Sequence, residues 1–531
     1  MSKQINKIVI VGGGSAGWMS AATMISQFPE KEIVVIESPN HPTIGVGEST
    51  IGGINDWMNL VGINRDDFIP HTDAIYKLSI RFTDFYKKGA GSFHYPFGFP
   101  NLEGNFAEKN DWYFKKFLMP DTPLEDYSDC MYPNMALVNQ NKLFKNEDGR
   151  LPGFIFNRDT AFHFDAVKFA IWLRDHFCKP KGVKHIQAEV VGVTTNDDGI
   201  EYLTLANGDT FTADLFIDCT GFKSMLLGEA LKVPFESYEN ILPNNSAWAA
   251  QIPYKDKEKQ MVCYTDCHAI ENGWVWTTPV WSRIGTGYVY SDKYVTDEQA
   301  LQEYKNHLES VGHSLDGVKF RNIKFRVGLQ KEVWVKNVCA IGLSAGFLEP
   351  LESSGLYTTH EFLTRLVRTL GRDKEQGYVN QYDKNAFNFA CTNQFKSFAY
   401  FVALHYALSH RDDTPYWRDV GSRVYSEDFS SEGYVPMVET MLYPAKGKFN
   451  EYFFNGNVSG LHCVLTGLNY FPTDEYSLKA YYYGKTDHKE GWAAAMFNLE
   501  RKKLAWQDTV KNCPSLIEYM QKHHYKNNQN T

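Results

Sequence analysis

Long hydrophobic runs are missing from this 531-residue chain. The longest, around Ala399–Leu408, reaches about half of the roughly 20 apolar residues that a membrane helix requires, and His405 interrupts it. Near the N-terminus, Lys7-Ile-Val-Ile-Val runs into three glycines before a signal-peptide core could form. A cytoplasmic protein with no membrane partner is expected. An excess of positive charge is missing too: 54 Lys plus Arg stand against 63 Asp plus Glu, a net charge of −9, so nucleic acid is not an expected partner. Cysteine is sparse and unpatterned, nine residues without framework spacing, which excludes a disulfide scaffold and fits reduced thiols. Cys263-Tyr-Thr-Asp-Cys267-His268 has no second Cys/His pair at finger-like spacing, so two buried strand thiols are expected there and no metal. Aromatic residues, by contrast, are plentiful: 36 Phe, 31 Tyr and 12 Trp within a 43% apolar composition suffice for the core of a large globular enzyme, and a homo-oligomer is compatible with it.

Residues 7–12 form a short β-branched run, Gly12-Gly13-Gly14-Ser15-Ala16-Gly17 follows, a helix-forming stretch continues to about Gln27, and Ile33-Val-Val-Ile-Glu37 closes the unit. Strand, glycine turn, helix and strand ending in an acid make the layout of a dinucleotide-binding unit. Gly12 permits the tight turn, Gly14 lets the backbone approach a pyrophosphate, Gly17 brings helix and strand together, and Glu37 is placed to accept from ribose hydroxyls. Gly45-Val-Gly47-Glu-Ser49 is a second small-residue loop suited to a flat cofactor. Asp214–Gly221 and Asn337–Gly342 are further strands that end in glycine. One cofactor sheet assembled from distant segments favours FAD over NAD. The predicted fold is α/β: a Rossmann-like FAD module over 1–375, its sheet drawn from about 5–50, 160–235 and 330–375, with an interleaved second β-sheet that includes Phe93–Phe99 and Trp274–Val280. A mainly helical substrate region is predicted over 376–531, and Phe362–Leu370 is a helix that Gly371 can stop.

After the last cofactor strand comes Gly342-Leu-Ser-Ala-Gly-Phe-Leu-Glu-Pro-Leu-Glu-Ser-Ser-Gly-Leu356. Pro350 resists helix and Ser353 or Ser354 is a natural N-cap, so a helix is predicted to begin close to Gly355, with N–H groups that could hold a halide beside the Ser354 hydroxyl. Glu349 and Glu352 flank that point, where acids complement a helix dipole. In Ile75–Phe82 the alternation puts Leu78, Ile80 and Phe82 on one strand face and Lys77, Ser79 and Arg81 on the other, which makes Lys77 a candidate semi-buried amine in an aromatic-rich region, against the commoner reading of a solvated strand face. Trp274 and Trp276 share a face of one strand and form a rigid aromatic wall.

Together these motifs resemble the flavin-dependent tryptophan halogenase family. The matching pieces, in the family's order, are residues 12–18, 45–50, 76–82, His163-Phe-Asp-Ala166, 215–221, 274–279, Phe347–Gly355 and Arg411-Asp-Asp-Thr-Pro-Tyr-Trp417, and the likeness runs from Gly12 to about Asn457. The resemblance implies that reduced FAD (FADH2), supplied by a separate flavin reductase, and dioxygen oxidise a halide to hypohalous acid. This travels through a tunnel walled by Trp274 and Trp276 to Lys77 beside a small aromatic substrate. It further implies Glu352 as the second catalytic residue, Ser354 and Gly355 as halide contacts, and Ser49, Val190, Leu343 and Leu356 among the FAD contacts. Lys77 then acts either as a haloamine or by hydrogen bonding to hypohalous acid.

The family pattern is not followed everywhere. Ser354 stands where Thr is common and Thr278 where Ile is usual; Tyr95, with Phe97, occupies a place that commonly holds His, and Phe453 replaces a Trp, while Asn457 is retained. Stacking survives at Tyr95, Phe97 and Phe453, so the implied substrate is a small electron-rich aromatic such as a phenol, indole or anilide. Gly342-Leu343 departs from the Gly-Asp of flavin hydroxylases. An aromatic monooxygenase and an inactive flavin-binding protein remain the alternatives at this level.

Overall fold

The computed structural model describes residues 3–40, 48–101, 108–371, 378–423, 460–470 and 488–526. Its first sheet follows from the β-branched runs. Six strands lie in the order Trp334–Val335, Val338–Ala340, Leu215–Asp218, Lys7–Val11, Glu32–Glu37 and Lys184–Gln187, all parallel except the first pair. Ile8, Val9, Ile10, Leu215, Phe216 and Ile217 are fully buried, as strands covered on both faces must be. The helix Ser15–Gln27 packs on this sheet, and the 17-residue helix Ser354–Leu370 packs on that helix. The strand Lys7–Val11 sits mid-sheet, so carboxyl ends of strands from three distant segments open on one crevice.

The second sheet has seven strands: Arg321–Lys324, Ser246–Ile252, Ile284–Tyr290, Gly273–Pro279, Tyr264–Ile270, Ser79–Thr83 and Ser92–Pro96. The pairing of Tyr264–Ile270 with Ser79–Thr83 is parallel and the rest antiparallel. Helix Asp297–Ser310, begun by a Thr296/Gln299 capping box, covers one face with Tyr304 and Leu308 against Tyr288 and Tyr290. A small third sheet, Glu48–Ser49, Ala161–Phe164 and Ile75–Lys77, bridges the two.

That bridge corrects the reading of residues 75–82. The alternating stretch is not one strand, because Leu78 leaves both ladders: its N–H donates to Cys263 O (2.7 Å) and its carbonyl accepts from Phe97 N (2.9 Å). Lys77 ends one sheet and Ser79 begins another. Lys77 and Ser79 are both fully buried rather than solvated, while Arg81 makes a two-pronged pair with Asp266 (2.8 and 3.0 Å).

Toward the C-terminus the described chain is helical. The apolar stretch around Ala399–Leu408 is the buried end of the helix Gln381–Ala407. Among the described residues no helix is long and apolar enough to cross a membrane. Arg411 and Trp417 tie the following turn to the second sheet through Ala269 O (2.9 Å) and Ile270 O (2.8 Å). Near the end of the described chain the Tyr525 ring stacks on Trp281 at 4.1 Å.

Candidate active site

At the crevice, the glycine loop leaves no room for side chains. A Cβ on Gly12, whose φ is +116°, lands 2.2 Å from Cys219 O, and one on Gly17 lands 1.8 Å from Gly12 O. Gly14 is the extended N-cap of the helix, so the N–H groups of its first turn lack intrahelical acceptors. Ser15 Oγ beside them is buried and has no hydrogen-bond partner among the described residues. A bare, donor-rich cradle with an orphaned hydroxyl fits the pyrophosphate of a dinucleotide. Asp218, fully buried at the end of the neighbouring strand, accepts from Thr220 N, Thr220 Oγ1, Leu226 N and Leu227 N at 2.6–3.0 Å and so fixes the Thr220-Gly221 turn. Gly342 (φ +73°) packs where a Cβ would be 2.6 Å from Ala16, which sets Leu343 beside the helix start.

Glu37 reaches the cradle across Gly13: a Cβ there would be 2.2 Å from its side chain. No local sequence signal announces its neighbours, His185 Nε2 at 2.8 Å and Arg174 Nη1 at 3.9 Å. Ala188 N donates to Glu37 O (3.0 Å), which brings half-buried Val190 to the same edge. Leu356 is buried in the first turn of its helix. Gly47 lies outside the described residues. Replacing Gly17 by Ala forces the loop open against a carbonyl that cannot move aside, so FAD affinity is expected to fall by at least ~10-fold in a flavin fluorescence titration.

Lys77 sits between this crevice and the second sheet with none of its surface exposed. Its Nζ donates to Ser49 Oγ (2.9 Å), Thr50 O (3.0 Å) and Ser353 Oγ (2.9 Å) and stands 5.0 Å from the centre of the Phe97 ring. Burial lowers its pKa to about 7, against the opposing pull of Cys267 and Glu352. Ser353 occupies the N-cap position of the helix, which begins at Ser354, yet it caps nothing: its backbone is left-handed (φ 56°) and its hydroxyl serves Lys77 and Ser49. The Ser49 hydroxyl likewise faces Lys77, Thr265 and Ser353.

Glu352, just before the helix start where an acid complements the dipole, is 1% exposed. Its Oε1 lies 2.8 Å from His405 Nε2. Since His405 Nδ1 is 3.0 Å from Phe401 O, which only accepts, Nδ1 carries a proton, and Nε2 is the ring atom that faces the carboxylate. Glu349 is buried as well: Asn244 Nδ2, Trp274 Nε1 and Tyr406 OH all donate to its Oε2 (2.6, 3.1 and 2.8 Å), while burial pushes its pKa up. Trp274 and Trp276 stand 6.4 Å apart. Ser354 Oγ points back toward the carbonyls of Leu348 and Glu349 (3.4 Å each), and a Cβ on Gly355 would meet open space.

On the other side of Lys77, Tyr95 lies edge-to-face with Phe97 (6.3 Å) and with Phe401 (6.2 Å). Phe453 and Asn457 fall outside the described residues. The structure thus gathers Ser49, Phe97 and Ser353 around the Lys77 amine, and Ser353 is next in sequence to buried Glu352. His163, Thr265 and His405 are partners that sequence reading missed. His163 had a signal in the His163–Ala166 motif, and His405 stood out as the only polar break in an apolar run.

A tryptophan halogenase family model matches residues 7–479. The chain is 34% identical to tryptophan 6-halogenase SttH of Streptomyces toxytricini over 441 residues, 79% of this chain and 81% of that protein. With tryptophan 7-halogenase RebH of Lentzea aerocolonigenes it shares 30% identity over 552 residues, 99% of this chain and all of the other. The apo structure of VirX1 superposes with a TM-score of 0.89 at 35% identity, covering 99% of this chain and 100% of that one. The chain therefore belongs to the tryptophan halogenase family and is a flavin-dependent halogenase, an oxidoreductase that uses FAD and halide.

Proposed function

We propose that this enzyme halogenates a small electron-rich aromatic molecule at Lys77, using an oxidant made in the flavin crevice and passed inward along the Trp274–Trp276 wall. The observation that carries this reading is a lysine with no exposed surface, held at the junction of the cofactor-side loops and the aromatic strand. Residues Gly12–Gly17, Glu37, Ser49, Val190, Leu343 and Leu356 would hold FAD, with Gly47 completing the loop. Bound there in reduced form and replenished by a separate reductase, the flavin supplies two electrons that, with dioxygen, convert halide to hypohalous acid and water.

Ser354 and Gly355 offer the halide its place at the helix start, where first-turn N–H groups favour an anion. Near neutral pH the buried Lys77 exists both as amine and as ammonium, so it can take up the halogen or donate a hydrogen bond to hypohalous acid. Glu352, buried beside His405, is suited to stabilise the cationic ring intermediate and to accept its proton. Tyr95 and Phe97 provide stacking surfaces for the substrate, with Phe453 and Asn457 as further contacts.

The test supplies FAD, NADH, a flavin reductase, oxygen and chloride, bromide or iodide to the enzyme with a panel of phenols, indoles and anilides. Mass spectrometry is expected to show products in which halogen has replaced hydrogen, and only when halide is present. Hydroxylated product formed without halide would overturn the proposal in favour of a monooxygenase.

A further inference from the structure

Behind Lys77 runs a buried chain of hydrogen bonds whose direction is fixed at its far end. His163 is fully buried, with Nδ1 3.0 Å from Pro279 O and Nε2 2.8 Å from Thr265 Oγ1. A backbone carbonyl only accepts, so Nδ1 bears the proton, and the neutral ring offers Nε2 as an acceptor. Thr265 must then spend its proton on His163, and so accepts from Ser49 Oγ at 2.8 Å. With its own proton spent on Thr265, Ser49 can meet Lys77 only as an acceptor. Burial and the charge of Lys77 both hold the His163 imidazole neutral, which keeps the direction from reversing.

The geometry points to Thr265 and His163 as positioning residues that orient Ser49 and leave Ser353 as the one hydroxyl able to turn toward the Lys77 lone pair. This rests on the reading of Lys77 as the transfer residue. An ammonium has three N–H groups and no lone pair, and it finds three acceptors in Ser49, Thr50 O and Ser353. An amine has two N–H groups and needs one donor. Thr50 O cannot donate and Ser49 is committed, so the donor is Ser353, whose proton otherwise goes to Ser49 at 3.1 Å. Rotation of one hydroxyl hydrogen, without displacement of a heavy atom, accommodates either state of Lys77. The other titratable groups facing Lys77 are Glu352, from the turn before the helix, and Cys267, from the second sheet, with His405 behind Glu352; none is a link in this chain.

Cutting the chain frees the Ser49 proton to serve the amine and so favours the amine over the ammonium. In Thr265→Val the pH limb of halogenation that belongs to Lys77 is expected to move down by about 0.5–1 pH unit, and Thr265→Ser is expected to restore it. His163→Gln places a group near Nε2 that donates as readily as it accepts, and should shift the limb the same way. A second readout does not depend on halogenation: the pH at which the stability of each protein bends relative to its own Lys77→Met version should fall equally. The inference is overturned if neither readout moves in Thr265→Val and His163→Gln, or if Thr265→Ser shifts as far as Thr265→Val. Should Lys77→Met leave halogenation intact, the reading of Lys77 in transfer fails instead, and the stability readout alone decides the wiring.

Discussion

Lys77→Met is expected to lower aromatic halogenation by ~1000-fold or more while hypohalous acid is still formed, as read by trapping with a diffusible thioether. The substitution leaves the flavin crevice intact and removes only the amine at its inner end. The same variant carries a stability signature. The folded chain holds Lys77 at a pKa of about 7 against an ordinary value of 10.5, so between those values it binds fewer protons than the unfolded chain. Wild-type stability should therefore climb with pH across that window, by at most about 1.4 kcal/mol per unit, and this contribution should be absent from Lys77→Met. Below pH ~7 the full cost of burying the ammonium is present, and the difference between the two proteins becomes flat. Chemical denaturation at a series of pH values reads the slope. Full product formation by the variant, or a difference independent of pH, would remove Lys77 from the mechanism or from its buried state, respectively.

Glu352→Gln is expected to cost about 100-fold in transfer, again with hypohalous acid formation retained. The amide keeps the shape of the side chain and can donate to His405 Nε2, so the fold should survive. It cannot accept the ring proton. Since the Glu352 charge helps keep Lys77 protonated, the variant should also move the Lys77 limb of the pH profile downward. A variant with wild-type turnover and an unmoved profile would show that the buried pair with His405 serves folding alone.

The architecture was legible wherever local chemistry decides it. The strand, glycine turn, helix and strand over residues 7–37 appear as read from spacing, and the strands holding Phe93 and Trp274 do lie in a second sheet. The helix ending before Gly371 followed from its stop signal. The arrangement around Lys77 was not legible, for physical reasons. Periodicity treats Ile75–Phe82 as one strand, and only long-range bonds from Leu78 to Cys263 and Phe97 reveal a change of sheet. Ser353 obeys capping statistics in position but not in backbone angle, because Lys77 and Ser49 claim its hydroxyl. Glu352 and His405 are 53 residues apart, and no pattern within either segment announces their meeting.

The change of sheet at Leu78 has a practical corollary for redesign. Phe97 N is bonded to the carbonyl of Leu78, so the backbone that carries the Phe97 ring is tied one residue away from the backbone that carries the Lys77 amine. Under the proposed function, replacing Phe97 is expected to shift the Lys77 amine as well, so selectivity and turnover will be hard to tune separately there. Tyr95, whose ring abuts Gly460, pairs through its backbone with Ile80 instead and is the better place to carve.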